Sequence, residues 1–193
     1  MSELLVGILV GGRGTRLGGV AKGLLKAPDS EKTLLERLLD QLHLALPRAP
    51  VVLVGDASAY ASLGVPAVID EPRGVGPLGG VIGLLRAAEH RGARWALSLT
   101  CDLPRIDHAL LTRLASEAPH ASALVTVQAG VRNPLVARYA VAEALTAART
   151  ALENGSRSVQ AVLDRLTGEI ATLPLSSAEE ARLADWDVPE DLN

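Results

Sequence analysis

The chain has 193 residues, 22 acidic against 19 basic side chains for a net charge of −3, and 48% apolar content without a phenylalanine, which predicts one domain spanning 1–193 around an aliphatic core that buries roughly 70% of the unfolded surface. That acidic balance, with no basic helix, aromatic ladder or zinc-ligand spacing, excludes a nucleic-acid-binding protein. A single cysteine, Cys101, excludes an internal disulfide framework, and the absence of a leader pattern or of an apolar run of membrane-spanning length predicts a soluble, cytoplasmic protein with no membrane partner.

In chain order, strands are predicted at 5–10, 51–54, 66–69, 95–99, 122–127, 135–139 and 169–173, and helices at 33–46, 57–63, 79–90, 107–117, 141–153 and 156–165. Alternation of short apolar runs with helical stretches predicts β-α-β units and a mainly parallel sheet with helices on both faces. In an open sheet of this kind ligands sit beyond the carboxyl ends of the strands, near a topological switch point. The loops at 11–22, 70–80 and 100–104 are expected to converge there.

The first strand, Val6 to Val10, runs directly into Gly11, Gly12, Gly14, Gly18 and Gly19, interleaved with Arg13, Arg16 and Lys22. Glycines let backbone N–H groups approach an anion and the cations add mobile positive charge, so the segment reads as a phosphate-binding loop rather than an ordinary surface loop. It is not a Walker loop, because Val20 and Ala21 follow Gly19 where Lys and Ser/Thr are required. Nor is it a dinucleotide fingerprint, because Leu17 occupies the third glycine position. The leucines that follow, 34, 35, 38, 39, 42 and 46, recur at helical spacing and are read as core.

Asp70 ends the third strand and precedes a glycine-rich turn, Arg73 to Gly80, in which Gly79 and Gly80 open a helix with no side chain to bar close approach. Further on, the strand Leu97-Ser98-Leu99-Thr100 ends in Cys101-Asp102-Leu103-Pro104; Pro104 cannot continue the ladder, so Asp102 faces the mouth of the cleft as the first-choice metal ligand. Capping of the next helix falls instead to Asp107. No motif sets His43, His90, His108 or His120 beside Cys101 or gives them metal-ligand spacing, which argues against covalent catalysis. Near the end, Ser176 and Ser177 with Glu179 and Glu180 predict a capped helix to about Leu183, and Asp185 and Asp187 form an Asp-x-Asp pair that is either a second metal site or a solvated turn. Trp95, Trp186, Tyr60 and Tyr139 are the only stacking candidates.

Leu9, Gly11, Gly12, Arg16, Gly18 and Lys22 match the signature loop of sugar-nucleotide and cofactor nucleotidyltransferases, with Leu17 at its methionine position. Within that superfamily the chain resembles the MobA-type molybdenum cofactor guanylyltransferases over nearly its whole length. The resemblance is carried in order by Gly-Gly-Val-Ala-Lys-Gly-Leu-Leu at 18–25, Gly-Pro-Leu-Gly-Gly at 76–80, Cys-Asp-Leu-Pro at 101–104, the segment Arg132 to Tyr139, and Asp-Val-Pro-Glu-Asp-Leu at 187–192.

The resemblance implies a three-layer α/β/α, Rossmann-like nucleotidyltransferase fold that moves GMP from GTP to the terminal phosphate of molybdopterin with Mg²⁺ as cofactor. It implies Leu9, Val10, Gly11, Gly12, Gly14, Arg16, Lys22, Asp70, Gly79 and Asp102 as nucleotide-binding residues, with Asp70 reading the guanine or ribose. Lys22, Arg16 and Asp102 would be catalytic, Asp102 and Asp187 metal ligands, and Arg132, Asn133 and Arg157 candidates for the acceptor and its phosphate. A monomer or weak homo-oligomer and molybdoenzyme-maturation partners are further implications. Ala21 stands where the family has an acidic residue, and Asp185-x-Asp187 where it has Asn-x-Asn. The second departure leaves open a sister transferase using CTP or another nucleotide, and a non-catalytic nucleotide-binding module of the same fold is a third reading.

Overall fold

The computed structural model describes residues 3–11, 21–28 and 30–184. Seven strands form one sheet in the order β3-β2-β1-β4-β6-β5-β7: β1 Leu4–Leu9, β2 Val51–Val54, β3 Ala67–Val68, β4 Trp95–Thr100, β5 Ala123–Gln128, β6 Val131–Ala140 and β7 Ile170–Thr172. The helices are α1 Leu34–Ala45, α2 Pro77–His90, α3 His108–Ser116, α4 Val141–Glu153, α5 Gln160–Leu163 and α6 Ser177–Arg182.

β1 lies parallel to β2 on one side and to β4 on the other, β2 is parallel to β3, and β5 to β7. Side chains alternate across these strands into two cores. Leu5, Val52, Val54 and Ala96 pack beneath α2, α4 and α5, while Val6, Ile8, Leu53, Leu97 and Leu99 pack beneath α1 and α3. A parallel sheet covered on both faces needs such continuously apolar strands, which is why β1 reads Leu-Leu-Val-Gly-Ile-Leu. No helix among the described residues is long and apolar enough to cross a membrane.

β6 is the one strand that runs against the rest, pairing antiparallel with both β4 and β5. Ala129 and Gly130, at φ 48° and 78°, make the two-residue turn that joins β5 to β6. A connection that short joins only antiparallel neighbours, and its positive φ angles match the twist of a hairpin. The strand expected at 135–139 therefore starts four residues earlier, at Val131, and takes in Pro134. Proline is accommodated there because the pairing register shifts between Val125, opposite Ala137, and Thr126, opposite Asn133.

Other boundaries move as well. The segment expected as a helix at 57–63 is a 3-10 helix, Ser58–Leu63, closed by Gly64 at φ 65°. The one expected at 156–165 narrows to Gln160–Leu163, and α2 begins two residues earlier than expected, with Pro77 in its first turn. Thr33 and Glu36 form a capping box at α1, and Ser176 and Glu179 form the one expected at α6.

Candidate active site

From β1 the chain crosses to β2 and β3 on one side, then returns through α2 to β4 on the other. The strand order thus reverses between β1 and β4, and in an open sheet of this kind ligands sit beyond the carboxyl ends of the strands at such a point. Two hydrogen bonds carry the pairing past those ends, Val10 N–H to the Val54 carbonyl at 2.9 Å and Cys101 N–H to the Leu9 carbonyl at 3.3 Å. Leu9, Val10, Gly11 and Asp102 consequently share one edge.

Across this edge the Lys22 Nζ donates to Asp102 Oδ2 at 3.0 Å. The lysine begins a 3-10 turn, Lys22–Leu24, whose backbone is tied by Leu24 N–H to the Ala21 carbonyl and Leu25 N–H to the Lys22 carbonyl. Asp102 Oδ1 is buried and has no hydrogen-bond partner among the described residues. A buried carboxylate oxygen without a donor suits an oxygen-seeking cation, so the residue fits Mg²⁺, which takes one or two protein carboxylates and completes its shell with phosphate and water. Asp102 is not a helix cap: Asp107 Oδ1 accepts the Leu110 N–H of α3 at 3.0 Å. No cluster of three or more His, Cys, Asp or Glu able to hold a metal occurs among the described residues.

Cys101, next to Asp102, is buried. Burial, and after it the Asp102 carboxylate, pushes its thiol up to about 12, so it stays protonated and is a poor nucleophile. All four histidines are exposed. Cys101 is thereby disfavoured as a nucleophile.

The Asp70 carboxylate lies over bare backbone. A Cβ on Gly55 would fall 3.0 Å from the Gly11 Cα and 3.4 Å from Asp70 Oδ1, and one on Gly80 would fall 3.4 Å from the same oxygen. Asp70 therefore stands over the end of β1, beside the first turn of α2 and one strand away from Asp102. At Gly79 the space for a Cβ is already taken, 2.5 Å from the Pro72 carbonyl oxygen and 3.1 Å from Val75 Cγ2. Its bare Cα serves the packing of the 71–76 loop on α2.

Arg132, Asn133 and Arg157 meet in a cavity of about 580 Å³ with Gln128, Val131 and the Ser158–Gln160 segment, and Pro77 at the start of α2 joins its wall. Asn133 holds the bulge of β6 in shape, accepting the Leu135 N–H at 3.0 Å and donating to Gln128 Oε1 at 3.2 Å. Gln128 in turn donates to the Leu183 carbonyl at 2.5 Å. Of the remaining expected site residues, Gly12, Gly14, Arg16 and Asp187, like Asp185 and Trp186, lie outside the described residues.

Of the four aromatic stacking candidates, the three among the described residues are engaged elsewhere. Tyr139 is fully buried, and the Trp95 ring has the Arg138 guanidinium 4.5 Å and the Arg94 guanidinium 4.9 Å from its centre. Tyr60 is 2% exposed and accepts the Gly23 N–H at 3.1 Å. Sequence reading missed this contact because the two residues lie 37 positions apart and no spacing rule links them.

The sequence model of the MobA-like NTP transferase domain matches residues 6–169. The protein named "Probable molybdenum cofactor guanylyltransferase" of Opitutus terrae is 34% identical over 98% of this chain and 93% of its own. A molybdenum cofactor guanylyltransferase of Pseudomonas syringae is 33% identical over 94% of this chain and 88% of its own. Among solved structures, molybdopterin-guanine dinucleotide biosynthesis protein A from Archaeoglobus fulgidus superposes with a TM-score of 0.74 over 97% of this chain and 94% of that one, at 24% identity, a likeness of fold.

Proposed function

The chain belongs to the MobA-like NTP transferase family and, within it, to the molybdenum cofactor guanylyltransferases, and on that premise we propose that it transfers GMP from GTP to the terminal phosphate of molybdopterin, giving molybdopterin guanine dinucleotide and pyrophosphate. The observation that carries the reading is the 3.0 Å contact of Lys22 with Asp102 at the switch point of the sheet, because phosphate cation and metal carboxylate are the two groups that nucleotidyl transfer cannot do without.

In this reading an oxygen of the acceptor phosphate attacks the α-phosphorus, the α–β bridging bond breaks, and pyrophosphate carries off the electron pair. Asp102 would hold Mg²⁺ through Oδ1, and the ion, when bound, supplies Lewis-acid neutralisation of phosphate charge. Lys22, swung from Asp102 toward the phosphates, stabilises the negative charge that grows on the leaving pyrophosphate, and Arg16 adds a second cation. Asp70 accepts the N1–H and N2–H donors of guanine, a pattern that cytosine does not present. Arg132 and Arg157 bring two cations to one cavity of a size suited to a small organic acceptor. Catalysis is then positioning and electrostatics without a covalent enzyme intermediate.

The test is pyrophosphate release from purified protein with Mg²⁺, molybdopterin and one nucleotide at a time. Release with GTP alone, dependent on both Mg²⁺ and the acceptor, is the expected result. Release with CTP in its place would move the protein to a sister transferase, and tight GTP binding with no release under any condition would make it a binding module.

A further inference from the structure

The two groups of the proposed site lie on segments that are remote in sequence, and one buried side chain hydrogen-bonds the first segment and shares a core cluster with the second. Tyr60 stands in the 3-10 helix Ser58–Leu63 and reaches into the core beneath α1. Its hydroxyl accepts the N–H of Gly23, the residue after Lys22, at 3.1 Å. Cys101, the residue before Asp102, is buried in the same core cluster as the tyrosine.

The fit at Gly23 is close. A Cβ there would lie 2.9 Å from Tyr60 Cε1, 3.0 Å from its hydroxyl and 3.2 Å from Leu35 Cβ. Glycine is what lets the lysine turn settle onto the tyrosine, with its N–H buried against one acceptor.

We propose that Tyr60 is a positioning residue, whose hydroxyl sets the Lys22 turn against the end of β4 so that Lys22 and Asp102 are held at working separation for the nucleotide phosphates. The inference rests on the reading of Lys22 as a phosphate-binding cation. A purely structural tyrosine fills the core with its ring; a positioning one acts through its oxygen, and only as long as there is a lysine to position.

Tyr60→Phe removes that oxygen and keeps the ring, and leaves the Gly23 N–H without its acceptor. GTP affinity in Mg²⁺, measured by calorimetry on wild type, Tyr60→Phe, Lys22→Ala and the double variant, closes a cycle that isolates the coupling. The expected loss for Tyr60→Phe is roughly fivefold in the wild-type background and less than about twofold in the Lys22→Ala background. Gly23→Ala, which wedges the same contact apart from the other side, is expected to show the same dependence on background. Unchanged affinity in both Tyr60→Phe and Gly23→Ala, or equal losses with and without the lysine, would overturn the proposal while Lys22→Ala alone still weakens binding. If Lys22→Ala itself leaves GTP affinity untouched, the phosphate-binding reading falls, and this inference falls with it.

Discussion

Lys22 and Asp102, 80 positions apart in the chain, meet at 3.0 Å, and the second oxygen of the carboxylate is buried with no donor among the described residues. A buried acceptor with no partner costs stability, and such costs persist where a site needs the group for something other than folding.

Asp102→Asn therefore separates the two roles. It keeps the shape and removes the charge that would hold the metal. Turnover is expected to fall at least about a hundredfold, in line with the loss of one electrostatic element from a transition state. The melting temperature is expected to hold or rise, because a buried ionised group has been replaced by a neutral one. Pyrophosphate release and a thermal melt on the same preparation check this, and normal turnover would remove Asp102 from the metal site.

The cavity proposed for the acceptor makes a different demand. Arg132 and Arg157 come from separate segments, the start of β6 and the approach to α5, and line one space beside Pro77. Replacing either by alanine is expected to raise the KM for molybdopterin roughly tenfold, the loss of one charged hydrogen bond, and to leave the KM for GTP unchanged. Steady-state kinetics with each substrate varied in turn will show it. A rise in the GTP KM instead would assign the arginines to the triphosphate.

How far the sequence foretold this site depended on the reach of each signal. The element order, the parallel half of the sheet and the helix starts at Thr33, Asp107 and Ser176 were legible, because strand periodicity and capping are local chemistry. Asp102 was placed correctly at a strand end by Pro104 two residues later. The direction of β6 was not legible: its turn is Ala129-Gly130 rather than Asn-Gly or Asp-Gly, and Pro134 hides the strand. Tyr60 was misjudged as a stacking candidate because its partner, Gly23, and its burial among the residues of the second core are set by tertiary packing alone. Gly79 looked like open backbone from sequence, and only the fold shows the Pro72 carbonyl filling the space.

Gly83 tests the support beneath Asp70. A Cβ there would lie 2.3 Å from the Ile69 carbonyl oxygen, one residue before Asp70. Backbone cannot yield as a flexible side chain can, so Gly83→Ala is expected to cost about 1–3 kcal/mol. Helix propensity alone predicts the reverse, a gain of up to about 1 kcal/mol. Denaturant unfolding settles the sign, and GTP affinity is expected to drop with stability, since the displaced carbonyl carries Asp70 with it.

Stability should also respond to acid through α6. Glu179 accepts the Ser176 N–H at 2.9 Å and the Ser176 hydroxyl at 2.8 Å, and pairs with Arg113 from α3. The Ser176 backbone and side-chain bonds, followed by the arginine, hold its carboxyl down at about 2, against 4.5 for a free glutamate. A lowered folded-state pKa means that the unfolded chain binds the extra proton first as pH falls. The contribution is thus fully present above about pH 4.5, declines on acidification and is gone near pH 2. Glu179→Gln removes it at every pH. Melting temperatures measured from pH 6 downward are expected to lie furthest apart for wild type and variant at pH 6 and to converge toward pH 2, and parallel curves would show that the carboxylate is not coupled to folding.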